Sequence, residues 1–452
     1  MSEASVSVRL NPFKKPSGEI QILKNAVKVP WNEYGFILPE RPVFTLDPLL
    51  HAGCYYVQDS SAMFVGHLFR KILDRIEVRG LRVLDLCAAP GGKTTDISAS
   101  LRERYGDDFL LVSNEVMKQR VSVLCDNVAK WGDPNVIVTS ADPAVFGRCP
   151  GFFDIIVADV PCSGEGMFRK DRKAVEQWSE ENVALCAARQ KRILADVWPA
   201  LKSGGYLIYS TCTYEKAEND DNLEWAASEL GGEIITPENE FEASGIQRTE
   251  HGNLLEAGVV PGEGQWAGAL RKTSATSAGT ADLQKLFDVV RPLRKGVRKG
   301  GMKGKDFVPD ADWALCLDFD RNEFHCVEVD RLTALHFLHR DSLVIPDSKL
   351  GYNVLTYCGV PLGFVKNIGK RCNNLLPQGR RILTYEELEE GYSETVLEFK
   401  PDNNFKKSNN LAAPTSTTVG MNTDTSEDEK NDDKKKFLNF LSHARFVELK
   451  II

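Results

Sequence analysis

The stretch LRVLDLCAAPGGKTTDI, residues 81–97, is the part of the chain from which the fold can be inferred. It starts as an apolar run typical of a buried strand, passes through a turn with two adjacent glycines, and continues with the apolar spacing of a helix. A glycine pair between a strand and a helix lets backbone amides approach a ligand closely at the helix N-terminus. The stretch therefore predicts the strand, turn and helix of a nucleotide-binding unit.

Strands and helices alternate over the next hundred residues. Four more apolar runs predict strands: FLLVSN (109–114), NVIVT (135–139), DIIVAD (154–159) and GYLIYST (205–211). Two sets of apolar residues have the i, i+3, i+4, i+7 spacing of a helix: Val121, Leu124, Cys125, Val128 and Leu194, Val197, Trp198, Leu201. This alternation predicts an α/β fold, a doubly wound and mainly parallel sheet with helices on both faces.

Changes in composition divide the chain into five parts. Residues 1–50 are rich in proline and aromatic residues, which favours short strands and turns over helix. The α/β domain is expected at 51–275, a basic linker at 276–310 and a small β-rich module at 311–400. The polar composition of residues 401–452 predicts a disordered tail, whose last residues have the pattern of a short amphipathic helix.

Composition excludes several classes of protein. The chain has 452 residues, 42% of them hydrophobic and 27% charged, as in an ordinary globular protein. No apolar run is long enough to span a bilayer, and the first residues lack a secretory signal, so a cytoplasmic protein without membrane contact is expected. The eleven cysteines form no C-x-x-C pair and no zinc pattern with histidine, which predicts reduced thiols and no metal site.

Basic residues are concentrated in two stripes, although the net charge is −8. Neither stripe contains an acidic residue. Their members are Arg291, Arg294, Lys295, Arg298, Lys299, Lys303 and Lys305, then Lys366, Lys370, Arg371, Arg380 and Arg381. Such stripes can bind a polyanion locally while the rest of the surface repels it. The alternative is that they are solvated loop charges.

The glycine turn and two acids predict a cofactor pocket. A P-loop would need glycine at position 87, where Cys87 stands, and no G-x-G-x-x-G occurs here. Glu115 ends the second strand, 23 residues after Gly92, where a carboxylate can meet ribose hydroxyls. Asp142 follows the third strand and can accept a hydrogen bond from a purine amine. The set suits S-adenosylmethionine, whereas either acid alone is more often a strand-end cap.

Two cysteines follow neighbouring predicted strands, in DVPCSGEG (159–166) and STCTYEKAEND (210–220). Cys162 and Cys212 are therefore expected to face one cleft. A thiol there can act as a nucleophile when a cation lowers its pKa, and the candidate cations are Lys93, Arg169 and Lys170. The alternative for each cysteine is an inert buried side chain.

A cleft thiol beside a methyl donor has a specific chemical use. The C5 carbon of cytosine is a poor nucleophile, and attack by a thiolate at C6 activates C5 to accept a methyl group. Asp159 is expected near ring N3, where an acid stabilises the adduct, and a base then removes the C5 proton. Because the ring must leave its stack, single-stranded or loosely paired RNA is the expected substrate.

The motifs CAAPGGKT, SNE, DVPCSGEGMFRKD and YSTCTYEKAEND resemble those of the Sun-type RNA cytosine-C5 methyltransferases. Residues 46–64, LDPLLHAGCYYVQDSSAMF, and 358–382, CGVPLGFVKNIGKRCNNLLPQGRRI, resemble the RsmF-type enzymes that modify small-subunit ribosomal RNA. The resemblance implies a Rossmann-like class I methyltransferase domain. It also implies part of an N-terminal RNA-binding region at 1–50 and a PUA-like RNA-binding module at 311–400.

The resemblance also implies residue roles. Cys212 would be the nucleophile and Cys162 would assist release of the methylated product. The cofactor pocket would be lined by Cys87, Ala88, Ala89, Pro90, Gly91, Gly92, Lys93, Glu115, Asp142 and Asp159. The expected substrate is 16S ribosomal RNA, free or in the small ribosomal subunit, bound by a monomer. Two alternatives remain: the same chemistry on transfer RNA, or a non-catalytic RNA-binding factor in ribosome assembly.

Overall fold

The computed structural model describes residues 5–18, 21–169, 172–236, 238, 240–275 and 282–383. Within these ranges the chain forms four β-sheets, the largest of them at the centre of the α/β domain. The predicted polar tail at 401–452 and the end of the predicted β-rich module at 384–400 lie outside the described residues.

The N-terminal part of the chain forms a small antiparallel sheet. Its strands are Val6–Leu10 (β1), Val27–Lys28 (β2), Gly35–Leu38 (β3) and Tyr55–Val57 (β4), in the order β2-β3-β1-β4. A short helix, Pro48–His51 (α1), precedes β4, and Asp47 caps it by accepting a hydrogen bond from the Leu49 amide. The short strands and turns agree with the proline-rich sequence of this region.

The central sheet contains five parallel strands and an antiparallel extension at each edge. Its strands are Leu81–Asp85 (β5), Phe109–Asn114 (β6), Val136–Thr139 (β7), Phe153–Asp159 (β8), Leu201–Thr211 (β9), Gly232–Ile235 (β10), Gln247–Arg248 (β11), Gly252–Leu255 (β12), Gln265–Lys272 (β13) and Arg294–Lys295 (β14). The order is β11-β12-β13-β9-β8-β5-β6-β7-β14, with β10 paired to β13. Strands β5 to β9 are mutually parallel, so the predicted doubly wound α/β fold is confirmed.

Helices cover both faces of this sheet. They are Phe64–Leu73 (α2), Gly92–Tyr105 (α3), Lys118–Trp131 (α4), Pro143–Phe146 (α5), Arg172–Gln177 (α6), Glu180–Val197 (α7), Asp220–Leu230 (α8) and Leu283–Val290 (α9). The apolar sides of α2, α3 and α4 pack on one face, and those of α5, α7, α8 and α9 pack on the other. Burial of both faces explains why the parallel strands are continuous apolar runs.

The predicted end of one helix is wrong. The pattern from Leu194 to Leu201 extends beyond α7, which ends at Val197. Residues 198–200 form a single 3-10 turn, and Leu201 is the first residue of β9. Pro199 accounts for the break, because it lacks an amide hydrogen and its ring clashes with the preceding helical turn.

The described part of the predicted basic linker contains regular structure. Helix α9 buries Leu286, Phe287 and Val290 against the sheet, and β14 pairs with β7 at the sheet edge. A hairpin of Gly300–Lys303 (β15) and Asp306–Pro309 (β16) follows. The surrounding Ser, Thr, Gly and Lys residues dominate the composition, so the short apolar face of α9 is not apparent from it.

The C-terminal module is a four-stranded sheet with one helix. Its elements are His325–Glu328 (β17), Arg331–His339 (α10), Gly351–Tyr357 (β18), Val360–Asn367 (β19) and Cys372–Asn374 (β20), with strand order β17-β18-β19-β20. Its apolar residues share one core with those of the N-terminal sheet, for example Leu335 and Leu355 with Val8 and Leu38. The two ends of the described chain therefore pack together beside the α/β domain.

Candidate active site

The candidate site lies at the carboxyl ends of the parallel strands. Strand β5 stands between β6 and β8, so the chain order of the sheet reverses there. Ligands of open α/β sheets bind outside the carboxyl ends of the strands at such a reversal. The loops that follow β5, β6, β8 and β9 contain the residues singled out in the sequence.

The structure brings the two expected thiols together. Cys162 follows β8, and Cys212 follows the adjacent parallel strand β9. Their sulfur atoms lie 3.0 Å apart, and the backbone amide of Cys212 also donates to the sulfur of Cys162 at 3.3 Å. Both cysteines are partly exposed and unbridged, so their thiols meet at the carboxyl-end edge of the sheet.

The contact between the two thiols shifts their pKa values in opposite directions. The hydrogen bond from Cys162 is the main cause that lowers the pKa of Cys212, and the charge of Lys93 lowers it further against the effects of burial and Asp159. The same hydrogen bond, together with burial, raises the pKa of Cys162 well above its ordinary value. The arrangement favours Cys212 as the thiolate and Cys162 as the thiol that donates to it.

An ion pair stands beside the thiols. Lys93, in the first turn of α3, lies 2.9 Å from the carboxylate of Asp159 at the end of β8. Burial disfavours the charged form of Lys93, but the attraction of Asp159 more than offsets this and raises the lysine pKa. Ser210 donates to the other oxygen of Asp159 at 2.7 Å. The side chains of Lys93 and Asp159 therefore form one polar unit next to Cys212.

The other two predicted cations do not form this unit. Arg169 pairs with Glu263, with 3.0 Å between Nε and Oε2, and donates to the Gly262 carbonyl at 2.7 Å. Lys170 lies outside the described residues. Lys93 is the one of the three candidates whose charge acts on Cys212 in the described structure.

A buried polar network, not expected from the sequence, fixes the Cys162 loop. Glu218 accepts hydrogen bonds from the Ser163 amide at 3.1 Å and from Gln190 at 2.6 Å, and Gln190 also donates to the Pro161 carbonyl at 2.9 Å. Burial raises the pKa of Glu218, although these donors counteract it. The position of Cys162 thus depends on groups from α7 and from the segment after β9.

The predicted glycine turn has the geometry of a ligand-binding loop. Gly91 precedes α3 with φ of 111°, a left-handed conformation that side-chain-bearing residues rarely adopt. A Cβ atom at Gly91 would lie 3.2 Å from Leu124, so a side chain there is disfavoured by space as well. The turn begins at Cys87, whose pKa is raised by burial, and Ala88 is anchored through its amide to the Asn114 carbonyl at 2.8 Å.

The two expected acids occupy different environments. Glu115 is buried directly after β6; its Oε1 accepts from the Met117 amide at 2.9 Å. Its Oε2 lies 3.4 Å from Arg120 Nη1 and accepts no hydrogen bond from a described residue. Asp142 is exposed after β7 and caps α5 through the Ala144 amide at 3.0 Å. The capping alternative thus applies to Asp142, while Glu115 has acceptor capacity left for a ligand.

A third acid at this edge, Asp85, was missed in the sequence. It ends β5 and is fully buried; Thr94 donates to one carboxylate oxygen at 2.6 Å, and the other oxygen has no hydrogen-bond partner in the described chain. Burial is the main cause that raises the pKa of Asp85 to about 7. Its place as the acid directly before the glycine turn is the sequence signal that could have identified it.

Arg9 of the N-terminal sheet supports the glycine turn from outside. It is fully buried and donates to the Gly92 carbonyl at 3.0 Å, to Thr95 at 2.5 Å and to Gln58 at 2.8 Å. Asp96 lies 3.7 Å away and provides a counter-charge. An arginine inside the strand VSVRL is the signal for this contact, although the sequence does not reveal its partner.

The described ranges contain neither a metal-binding group of side chains nor a membrane-spanning helix. No group of three or more His, Cys, Asp or Glu side chains there could hold a metal ion. Among the helices of the same residues, none is long and apolar enough to cross a membrane.

Three family models match successive parts of the chain. The model described as 16S rRNA methyltransferase RsmB/F matches residues 76–262, which include the glycine turn and both cysteine loops. The N-terminal domain of 16S rRNA methyltransferase RsmF matches residues 1–60, and the methyltransferase RsmF PUA domain matches residues 324–382. The last match confirms that a PUA-like module follows the α/β domain.

Known proteins show the same similarity. The ribosomal RNA small subunit methyltransferase F of Pectobacterium atrosepticum is 34% identical over 409 residues, which cover 77% of this chain and 83% of that protein. Its namesake from Aliivibrio salmonicida is 34% identical over 287 residues, 60% of this chain and 59% of that protein. The chain thus spans about three fifths of the length of the first curated relatives it matches.

A crystal structure of a methyltransferase homologue from Pyrococcus horikoshii matches with a TM-score of 0.50 and 25% identity, over 60% of this chain and 87% of that chain. This similarity supports the Rossmann-like methyltransferase fold of the central domain. Because the Pectobacterium relative aligns over most of its length and three consecutive family models match, the chain belongs to the RsmB/F family of 16S rRNA methyltransferases.

Proposed function

We propose that this protein transfers a methyl group from S-adenosylmethionine to C5 of a cytosine in small-subunit ribosomal RNA. The observation that carries the proposal is the pair of sulfur atoms of Cys162 and Cys212, 3.0 Å apart beside the Lys93–Asp159 ion pair. Both lie at the same sheet edge as the glycine turn. Family membership supports the reaction class and the ribosomal RNA substrate.

The residues of the glycine turn and the neighbouring acids fit the cofactor. When bound, S-adenosylmethionine supplies an electrophilic methyl group on a positively charged sulfur. One oxygen of Asp85 accepts no hydrogen bond, and Oε2 of Glu115 accepts none either, although Arg120 lies 3.4 Å away as its counter-charge. A ribose hydroxyl or an ammonium group supplies the missing donors. The turn from Cys87 to Lys93 would hold the amino acid portion, and Asp142, whose Oδ1 caps α5, would offer its other carboxylate oxygen to the base.

Cys212 is the nucleophile of the proposed reaction. Its thiolate forms a bond to C6 of cytosine, and the electron pair of the C5–C6 double bond moves toward C5. Ring N3 takes up a proton that Lys93 delivers through the paired carboxylate of Asp159, and the proton returns by the same path when the adduct collapses. C5 would then form its bond to the methyl group as the bond between that group and the cofactor sulfur breaks, so that S-adenosylhomocysteine is the leaving group. A base takes the C5 proton, the C5–C6 double bond forms again and the bond between carbon and Cys212 breaks, which returns the thiolate.

Cys162 is proposed to act at two stages of the same reaction. Before attack, its thiol hydrogen bond lowers the pKa of Cys212 and so favours the thiolate. After methyl transfer, Cys162 assists release of the methylated cytosine, the role implied by its place in the P-C motif. The two cysteines are therefore proposed to act at different stages rather than as alternative nucleophiles.

The test compares wild type with Cys212→Ala, using labelled S-adenosylmethionine and 16S ribosomal RNA. Wild type is expected to incorporate label at C5 of a cytosine, and the variant is expected to incorporate none while still binding S-adenosylhomocysteine in a calorimetric titration. Equal methylation by both proteins would reject Cys212 as the nucleophile. A wild type that binds no S-adenosylhomocysteine would instead favour a non-catalytic factor, and preferential methylation of transfer RNA would reject the ribosomal substrate.

A further inference from the structure

A cavity of about 330 Å³ lies where three parts of the chain meet, away from the thiol pair. Its walls come from the segment after β1, from residues 314–321 and from the start of β19. Cavities at the junction of modules and of about this size are common ligand sites. Neither the proposed methyl transfer nor its cofactor uses this cavity.

The charged side chains that line the cavity are all basic. Its lining contains Lys14, Lys15 and Arg321 and no carboxylate. Lys14 stabilises the cavity wall, because its buried ammonium donates to the carbonyl groups of Ala52 and Lys130, at 2.8 and 2.6 Å. The exposed side chains of Lys15 and Arg321 form no hydrogen bond or ion pair with other described residues. These two cations are free to bind an anion.

Aromatic rings lie beside these cations. Phe13 lines the cavity and is 40% exposed, so one face of its ring is accessible. Phe319 in the opposite part of the lining stacks on Phe324, with ring centroids 6.1 Å apart, and is held in an aromatic cluster. A nucleotide in single-stranded RNA offers the matching chemistry, since its base stacks on aromatic rings and its phosphate binds cations.

The position of the cavity relates it to the proposed reaction. It borders the C-terminal end of α4, through the contact of Lys14 with Lys130, whereas the N-terminal end of α4 lies near Glu115. The 14 residues of α4 span about 21 Å. We propose that the cavity binds one nucleotide of the RNA strand that flanks the target cytosine, with the base against Phe13 and its phosphate against Lys15 and Arg321. This inference rests on the proposed function.

The test measures binding of a fluorescent single-stranded 16S ribosomal RNA fragment to the full chain at several salt concentrations. The double variant Lys15→Ala and Arg321→Ala is expected to bind about tenfold more weakly and to reduce the salt slope by about 1.4, because two phosphate contacts are lost. Phe13→Ala is expected to weaken binding about tenfold with an unchanged slope, because base stacking is not ionic. The matched control is Arg192→Ala, an exposed cation on α7 across the sheet, which should bind as wild type does.

Two further measurements separate this inference from the proposed function. S-adenosylhomocysteine affinity should be unchanged in all these variants, which shows that the fold and the cofactor site are intact. If the variants bind RNA like the Arg192→Ala control while wild type methylates RNA normally, the cavity inference is overturned and the proposed function stands. Binding of adenosine monophosphate that depends on Lys15 and Arg321, with RNA binding unaffected, would also overturn it in favour of a free nucleotide.

Discussion

The loops that carry Cys162 and Cys212 hold the same side chain at neighbouring strand ends, yet their thiols differ in acidity. The pKa of Cys212 is lowered by the hydrogen bond from Cys162 and by Lys93, while the pKa of Cys162 is raised by that same bond and by burial. Only Cys212 has a cation among its main influences. The difference shows that the partners of a thiol, rather than its position at the sheet edge, decide which cysteine ionises.

The two loops also differ in how they are held. The Cys162 loop is tied through Ser163 and Pro161 to the buried side chains of Glu218 and Gln190. The Cys212 loop is bound through its own carbonyl to the Gly166 amide at 2.9 Å, which joins the two loops directly. Rigid support of both loops keeps the sulfur atoms in contact, a requirement for sites in which one group tunes another.

The most direct way to break this comparison is to replace each thiol by alanine. Cys212→Ala is expected to lower methyl transfer by about 10⁴-fold or more, the scale seen when a nucleophile is removed. Cys162→Ala is expected to attack more slowly, because the hydrogen bond that lowers the pKa of Cys212 is lost, and to accumulate a denaturant-resistant complex of protein and RNA. Denaturing gel electrophoresis of each variant after incubation with RNA and cofactor distinguishes the two. Normal turnover of Cys162→Ala without such a complex would contradict the product-release role.

The comparison extends to the carboxylates, because Asp159 forms an ion pair with Lys93, whereas Asp85 forms no ion pair and the charge of Lys93 only partly offsets its burial. The folded-state pKa of Asp85, about 7, exceeds the ordinary value of 3.8, so the folded chain binds more protons than the unfolded chain between these values and loses stability as pH rises. Asp85→Asn has no carboxyl group at this position and therefore does not lose this stability as pH rises. Between pH 4 and 8 the free energy of unfolding of the variant should therefore rise relative to that of wild type by about 4 kcal/mol, at about 1.4 kcal/mol per pH unit. Denaturant unfolding at several pH values measures this, and a pH-independent difference would contradict it.

Removal of the cation sharpens the comparison of the thiols. Lys93→Met should raise the pKa of Cys212 and lower methyl transfer at pH 7 by about 30-fold, because less thiolate is present. The pH profile of Cys212 alkylation by iodoacetamide, read by peptide mapping, should move to higher pH. Lys93→Arg keeps the charge and should restore most of the wild-type profile. An unchanged alkylation profile in Lys93→Met would exclude Lys93 as the group that tunes Cys212.

The smallest expected effect concerns the support of the Cys162 loop. In Glu218→Gln the carbonyl oxygen of the new side chain can still accept from the Ser163 amide. Its NH2 group, however, faces the NH2 group of Gln190, so one hydrogen bond is lost at a cost of about 1 kcal/mol. Thermal unfolding should show this decrease, and release of the product should slow more than its formation. Glu224→Gln, an exposed position on α8, is the matched control. Equal stability of both variants would show that the Glu218 network is dispensable.

Local pattern was enough to predict the central domain. The strand FLLVSN coincides with β6, and the glycine turn lies between β5 and α3 as expected. These features depend on burial of continuous apolar runs and on backbone conformation, both of which are determined by residues near in sequence. The end of α7 was misplaced because apolar spacing continues past Val197, where Pro199 prevents a further helical turn.

The basic stripe at 291–305 shows what pattern alone cannot decide. Four of its seven cations are engaged within the protein: Arg294 with Asp312, Lys295 over the ring of Phe287, Arg298 with Asp310 and Lys299 with Glu323. The sequence shows the charges but not these partners, which are brought close only by folding. A charge run therefore overstates the surface free to bind RNA.

The sequence by itself determined the α/β domain, the glycine turn and the two cysteine motifs, because each is a short pattern whose meaning depends on neighbours along the chain. Only the tertiary structure decided the 3.0 Å contact of the sulfur atoms and the hydrogen bond from Arg9 to the glycine turn. It also decided that one carboxylate oxygen of Asp85 and one of Glu115 accept no hydrogen bond within the described chain. The physical reason is that acidity and hydrogen bonding depend on distances of a few ångströms between residues that are tens of positions apart in sequence.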